Sequence, residues 1–283
     1  MELTEQQKLF FNEFGFLQFP GLLADRIDSV IEDFENVFTV RGGGHNGAGH
    51  DGSARSCIVP FVDQSVGLCS LLDDPRIAGI AAGLLGDDWN YIGSDGNFYV
   101  GDTGWHTDGW HPQGRYIKIA FYLDRVTRDT GALRIIPGSQ RINPDSHKEG
   151  EYNGSSFKGL WDASKNYGIE GRDMPSHALE VTPGDIAVFN HNIFHSAWGG
   201  SNRRRMFTLN LCNHAESPAE IADLRGYIGS NARFWIDEMY GKTMLETAGA
   251  ERMKHLQQVL DNSDELPSLV AKAKETMSEP SRG

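Results

Sequence analysis

Hydrophobic positions divide the chain into a helical opening, a strand-rich middle and a helical close. Leu9, Phe10, Phe11 and Phe14 recur at helical spacing over 5–15, and Thr4 with Gln7 forms a capping-box pattern in front of them. Gly15 ends that helix, and FLQFP reads as a short strand. A second helix is expected over 24–38. A third is expected over 74–85, with Asp74 as N-cap, Pro75 in the first turn and Gly86 at the end. From residue 89 the period changes. WNYIGSDGNFYVG, RYIKIAFYLDRV, GALRIIPGS, HALEVTPGDIAVFN and RRMFTLNLCNH are short, rich in β-branched and aromatic residues, and divided by Gly, Pro and Asp. In the second of them Ile117, Ile119, Phe121 and Leu123 alternate with Tyr116, Lys118, Ala120 and Tyr122, so each set belongs to one face of a strand. Many short strands with turn signals predict a sandwich or barrel with helices packed outside it. Helix returns at Ser217, where Ser217, Pro218 and Glu220 supply a cap, an N1 proline and an N3 acid. The expected organisation is one domain over 1–283, with helices in 1–88, a β core over about 89–214 and helices over 215–275. No internal repeat is visible.

Two stretches have neither period. Residues 41–55, RGGGHNGAGHDGSAR, lack the strand-before, helix-after setting of a phosphate loop, and no Gly-Lys-Ser/Thr follows. Its glycines also forbid a stable helix that would align His45 and His50 as a metal site. Residues 141–178 form a long polar excursion inside the strand region, in which Leu160 and Trp161 favour partial packing. Residues 41–56 and 141–178 are the candidates for a lid.

Composition narrows the function classes. The chain has 283 residues, 39% apolar and 23% charged, ordinary for a globular protein. A net charge of −13 argues against nucleic acid as partner, while a small anion can still be held by one buried arginine. No apolar run approaches the ~20 residues that span a bilayer, so no membrane partner is expected. The opening MELTEQQKLF has no secretory pattern, which makes the cytoplasm the expected compartment. Cys57, Cys69 and Cys212 are scattered and support neither a disulfide framework nor a zinc–thiolate site. Oligomeric state is not legible.

The chemistry lies in GDTGWHTDGWH. His106 and Asp108 are two apart, so on a strand they point to one face and can grip one metal, with Fe(II), Mn(II) and Zn(II) all compatible. His195, about 90 residues on in DIAVFNHNIFHSAW, is expected to end an apolar strand and to supply a third ligand. His191, four residues earlier, reads as a non-ligand. Arg203-Arg204-Arg205 then runs into RMFTLNL. Two imidazoles and a carboxylate on one side of an octahedral ion leave positions for a bidentate 2-oxo acid and for O2. A buried arginine on the next strand suits the far carboxylate of that acid.

Taken together, LTEQQKLFFNEFGFLQFPGLL, GDTGWHTDG, IKIAFYLDRVTRDTGALRIIPGSQ, PGDIAVFNHNIFHSAWGG and RRRMFTLNL resemble the phytanoyl-CoA dioxygenase family of Fe(II)/2-oxoglutarate-dependent oxygenases, over most of the chain. The resemblance implies a double-stranded β-helix (a cupin-like jelly roll), mainly β with flanking α-helices. It implies Fe(2+) held by His106, Asp108 and His195, with 2-oxoglutarate and O2 as co-substrates. Arg204 is the expected partner of 2-oxoglutarate, sharing a strand face with Met206, Thr208 and Asn210, and Arg205 is the alternative. Asn97 and Thr107 are further expected contacts of the co-substrate. Trp105, Trp110, His111 and Lys118 are candidates for the substrate side. The implied reaction releases succinate and CO2 and most simply hydroxylates a small molecule. Desaturation, epimerisation and ring closure begin from the same hydrogen abstraction. Asp108 stands where related halogenases carry a small residue, so halogenation is not expected. The rival readings are a non-catalytic jelly roll that binds a ligand or metal, and a Zn or Mn isomerase or hydrolase. The expected substrate is a polar metabolite or natural-product intermediate, since no basic patch suits an acyl-CoA.

Overall fold

The computed structural model of the chain describes residues 1–44, 47–142 and 158–282. In chain order its elements are α1 (Glu5–Phe14), β1 (Phe16–Phe19), α2 (Ile27–Arg41), β2 (Ser56–Ile58), α3 (Val66–Cys69), α4 (Pro75–Leu85), β3 (Asn90–Tyr99), β4 (Thr103–His106), β5 (Tyr116–Tyr122), β6 (Leu133–Ile135), α5 (Ala163–Tyr167), β7 (His177–Leu179), β8 (Ile186–Asn190), β9 (His195–Ala197), β10 (Arg204–Cys212), α6 (Pro218–Ser230), α7 (Lys242–Thr247), α8 (Ala250–Leu260) and α9 (Leu266–Thr276). The end signals act as the sequence implies. Thr4 and Gln7 form a reciprocal capping box on α1, Ser217 and Glu220 do the same on α6, and Asp74 accepts from Arg76 N at the start of α4. The second helix lies three residues later than expected at both ends. Residues 21–26 are occupied by tight turns, with Ala24 N donating to Gly21 O and Arg26 N to Leu23 O. The helix then runs on to Gly42, whose φ of +75° ends it.

The strands form two antiparallel sheets of a jelly roll. The larger has the order β1-β8-β5-β10-β3-β2, the smaller β4-β9-β6-β7. Strand alternation sorts the larger sheet's side chains by face. Ile117, Ile119, Phe121, Phe207, Leu209 and Leu211 point outward into a core shared with the helices, among them Phe34, Leu68, Ile80, Leu224 and Leu256. Ala120, Tyr122, Ala187, Phe189 and Met206 point inward and meet Leu133, Ile135 and Leu179 of the smaller sheet. The helices therefore coat one face of the larger sheet, and the gap between the sheets is left for the site. No helix among the described residues is long and apolar enough to cross a membrane.

The placement of His195 differs from the sequence reading. Strand β8 stops at Asn190, and His195 opens β9 in the other sheet. The break comes from a side chain. Asn190 Oδ1 accepts the N–H of Asn192 at 2.9 Å, a turn that competes with continued strand, and Asn192 Oδ1 then accepts the N–H of His111. The apolar run DIAVFNHNIFHSAW hides this, because Ile193 and Phe194 are as buried after the turn as Val188 is before it.

Candidate active site

His106 ends β4 and pairs in register with His195, the first residue of β9. Their ring centroids lie 4.2 Å apart. Asp108 lies just past the end of β4. Its N–H donates to His191 O at 3.0 Å, so the crossing turn itself holds the HTD segment in place. The imidazole nitrogens and the carboxylate oxygen of His106, Asp108 and His195 all lie within 4.8 Å of one another, and His195 Nε2 is 3.7 Å from Asp108 Oδ2. Each histidine has its other nitrogen engaged with a carbonyl two residues earlier, His106 Nδ1 with Gly104 O at 2.8 Å and His195 Nδ1 with Ile193 O at 2.9 Å. A carbonyl can only accept, so both rings carry a proton on Nδ1, which leaves Nε2 as the nitrogen available to a metal. Burial pushes His195 down to about 3, which keeps it neutral and available as a ligand.

The carboxylate side is charge-balanced. Lys118, inward on β5, places Nζ 3.0 Å from Asp108 Oδ2. Burial opposes ionisation of Asp108, but the Lys118 ammonium and the nearby imidazoles outweigh it and hold the carboxyl below its ordinary range. Asp95 on β3 is likewise opposed by burial and held down by Lys118 and Arg55. Thr208 donates to Asp95, and Arg55 lies 3.9 Å from it. Two carboxylates, one of them the triad's Asp108, are thus matched by two cations.

Two cavities meet at the triad, and Tyr99, His106, Asp108 and Lys118 line both. The smaller, between the sheets, is also lined by His195, Tyr122, Met206 and Arg204. Arg204 is 3% exposed, and its Nε and Nη1 have no hydrogen-bond partner among the described residues. Gly131 and Gly200 make room for it, because a Cβ on either would overlap Nη1. Arg205, the alternative, faces the other way. It pairs with Asp124 and with Glu35 on α2, at 2.7 Å for the latter, because adjacent residues on a strand face opposite sides. Asn97 is fully buried but committed. Its amide donates to Asp95, its carbonyl accepts from Arg55, and it lines neither cavity.

The larger chamber, about 550 Å³, is lined by Thr107, Trp110, His111, Lys118 and His191, together with residues of α6. Thr107 therefore sits on this chamber and not beside Arg204. Trp105 is buried and lines neither cavity. It donates to Gly171 O at 2.8 Å and packs with Leu160 and Phe194, which fastens the later part of the excursion to β4. Trp161 is exposed. His191 is buried, pushed down to about 3 by burial, and falls outside the ligand set. His50 is engaged by Ser56 Oγ and Asn202 O and stacks on Phe98. His45 and residues 143–157 of the excursion lie outside the described residues.

Sequence reasoning missed Arg55, Asp95, Tyr99, Asp223 and Tyr227, all of which line the chamber. Asp95 and Tyr99 were recoverable from the alternation in NYIGSDGNFY. Asp223 and Tyr227, four apart on α6, share a helix face, although nothing local says what that face meets.

A family model described as phytanoyl-CoA dioxygenase (PhyH) matches residues 11–207. The chain belongs to this family. Within it, the chain is 30% identical over 159 residues to ectoine dioxygenase of Sphingopyxis alaskensis, covering 48% of the chain and 50% of that protein. It is 26% identical over 250 residues to ectoine dioxygenase of Stutzerimonas stutzeri, covering 77% and 78%. The match thus spans half the length of the first relative. Among solved structures, the carbocyclase SnoK from nogalamycin biosynthesis superposes with a TM-score of 0.58 at 21% identity, covering 76% of the chain and 85% of that structure. EctD from S. alaskensis with bound Fe gives 0.56 at 21%, covering 77% and 80%. At these identities the structures establish the shared jelly-roll fold.

Proposed function

We propose that this family member is a non-heme Fe(II)/2-oxoglutarate-dependent dioxygenase that hydroxylates a small molecule. The observation that carries the reading is a facing His106–Asp108–His195 donor set joined by one cavity to a buried, unpaired Arg204. The donors fit ferrous iron: two neutral imidazole nitrogens and one carboxylate, all from one side, leave positions for exogenous ligands. When bound, iron supplies the redox chemistry with O2 that couples conversion of 2-oxoglutarate to succinate and CO2 with oxidation of the substrate.

The chain's own residues orient and insulate. Arg204 receives the distal carboxylate of 2-oxoglutarate as a charge-assisted pair, which satisfies its two free N–H positions. Tyr99 stands 5.2 Å below the Arg204 guanidinium and keeps it from turning. Lys118 holds the charge of Asp108 within the barrel. Thr107, Trp110 and His111 belong to the substrate side. The free thiols Cys57, Cys69 and Cys212 support a cytoplasmic setting. The ectoine relatives support the reaction class.

Anaerobic titration of the Fe(II)-loaded protein with 2-oxoglutarate is expected to produce a weak visible charge-transfer band that is lost in His106→Ala and Asp108→Ala. Iron binding without the band would sink the 2-oxoglutarate assignment and leave a metal-binding jelly roll.

A further inference from the structure

We propose that the larger chamber takes a substrate bearing a protonated nitrogen (an ammonium, amidinium or guanidinium group), seated on Asp223. The proposal rests on the oxygenase reading and adds the substrate's charge to it.

The charges lining the chamber are unevenly matched. Near the metal donors, Asp95 and Asp108 are balanced by Arg55 and Lys118. Arg233 is exposed at the rim, with its guanidinium 4.7 Å over the Phe234 ring. Asp223, from α6, has no lysine or arginine nitrogen within ion-pair distance among the described residues. Its one close polar neighbour is His111, whose Nδ1 is 3.5 Å from Oδ1. Oδ2 is buried and has no hydrogen-bond partner among the described residues. The His111 ring stacks on Tyr116 at 3.7 Å, and burial holds it below its ordinary value, so it does not supply the missing positive charge.

The other unpaired atoms here also ask for a donor. Asn210 Oδ1 is buried without a partner while its amide donates to Gly93 O. His191 is 1% exposed with both ring nitrogens unpartnered, and a neutral imidazole presents one acceptor and one donor. Acceptors outnumber donors, and one of them is a full negative charge. A polyol would satisfy the hydrogen bonds and leave the carboxylate uncompensated, whereas a cationic nitrogen satisfies both. Trp110 and Tyr227 line the same chamber, and aromatic rings suit a cation. Seated at Asp223, the cation leaves the rest of the substrate pointing past His191 toward His106 and Asp108, where the bond to be oxidised belongs.

Calorimetric titration of the anaerobic Fe(II)- and 2-oxoglutarate-loaded protein with cyclohexylamine, cyclohexanol and cyclohexanecarboxylate at pH 7 tests the charge with shape held constant. The amine is expected to bind at least about tenfold more tightly than either of the others, and Asp223→Asn to abolish that preference. Asp223→Lys is expected to transfer the preference to the carboxylate, which guards against mere loss of shape. Equal binding of alcohol and amine, or a preference that survives in Asp223→Asn, overturns the proposal. The charge-transfer band is read on the same samples. Its absence sinks the oxygenase reading, and its presence without the amine preference sinks only the substrate charge.

Discussion

Arg204 and Arg205 differ by one position on β10, and alternation sends one to the cavity and the other to Asp124 and Glu35. Arg204→Gln is expected to weaken 2-oxoglutarate binding about 30-fold or more, since a buried charge-assisted pair is worth roughly 2 kcal/mol or above. Arg205→Gln is expected to leave that affinity within about twofold and to lower stability by ~1 kcal/mol, because its partners are partly solvated. Reading the band titration and a urea midpoint on both variants separates the roles, and exchanged results would mean the register of β10 is wrong. The pattern in RRRMFTLNL makes this face legible, because Arg204 alternates with residues that suit a cavity wall. Asn97 illustrates the opposite case. It lies on the inward face as its position implies, yet Arg55, 42 residues away, occupies its carbonyl. A local pattern gives the direction of a side chain but not which distant side chain arrives first. The His-x-Asp pair was legible from its spacing, although Asp108 lies past the end of β4 and is held by the His191 carbonyl, while Asp223 was not legible, because its meaning depends on where α6 docks.

At the scale of elements, the site is assembled by the passage from β8 in one sheet to β9 in the other. The Asn190 side chain ends β8, the turn's His191 carbonyl fixes Asp108, and β9 begins with His195, the third residue of the proposed donor set. One turn therefore orients two of the three proposed metal donors. Asn190→Ala removes the acceptor for Asn192 N–H and lets the strand run on, which would displace both. The expected result is a tenfold to hundredfold loss in Fe(II) affinity, a size typical of groups that orient ligands, with the helical circular dichroism signal retained. Unchanged iron affinity would show that the ladder alone positions His195. The capped helices α1, α4 and α6 were legible because capping joins residues only two or three apart. The sheet change was not, since burial continues through it and the signal reduces to one asparagine in an apolar run.

For the whole molecule, the governing asymmetry is that the helical core covers one face of the larger sheet, shared by N-terminal and C-terminal segments, while the two cavities open on its other face and α6 reaches round to line the larger one. The sequence announces strands and helices but not this division, because an alternating strand has two faces and nothing local says which meets helices. Asp63 ties the coat together. It is 2% exposed, accepts from Gly241 N at 2.7 Å before α7, and accepts from Tyr91 Oη at 3.2 Å on β3. Burial outweighs these bonds and raises its carboxyl from 3.8 to about 6. Between those pH values the folded protein retains a proton that the unfolded chain has lost, so this group's contribution falls as pH rises through the window and is constant above it. At 1.36 kcal/mol per unit, the fall is about 3 kcal/mol. Asp63→Asn keeps an amide oxygen for Gly241 N–H, lets the Tyr91 hydroxyl turn to accept from the amide, and does not titrate. Urea unfolding of both proteins from pH 4.5 to 7.5 should therefore show the variant gaining on the parent as pH rises to about 6.5, with no further change above. Parallel stability curves would mean that the two hydrogen bonds fully offset burial of the charge, and that Asp63 joins the helical coat to β3 without cost at neutral pH.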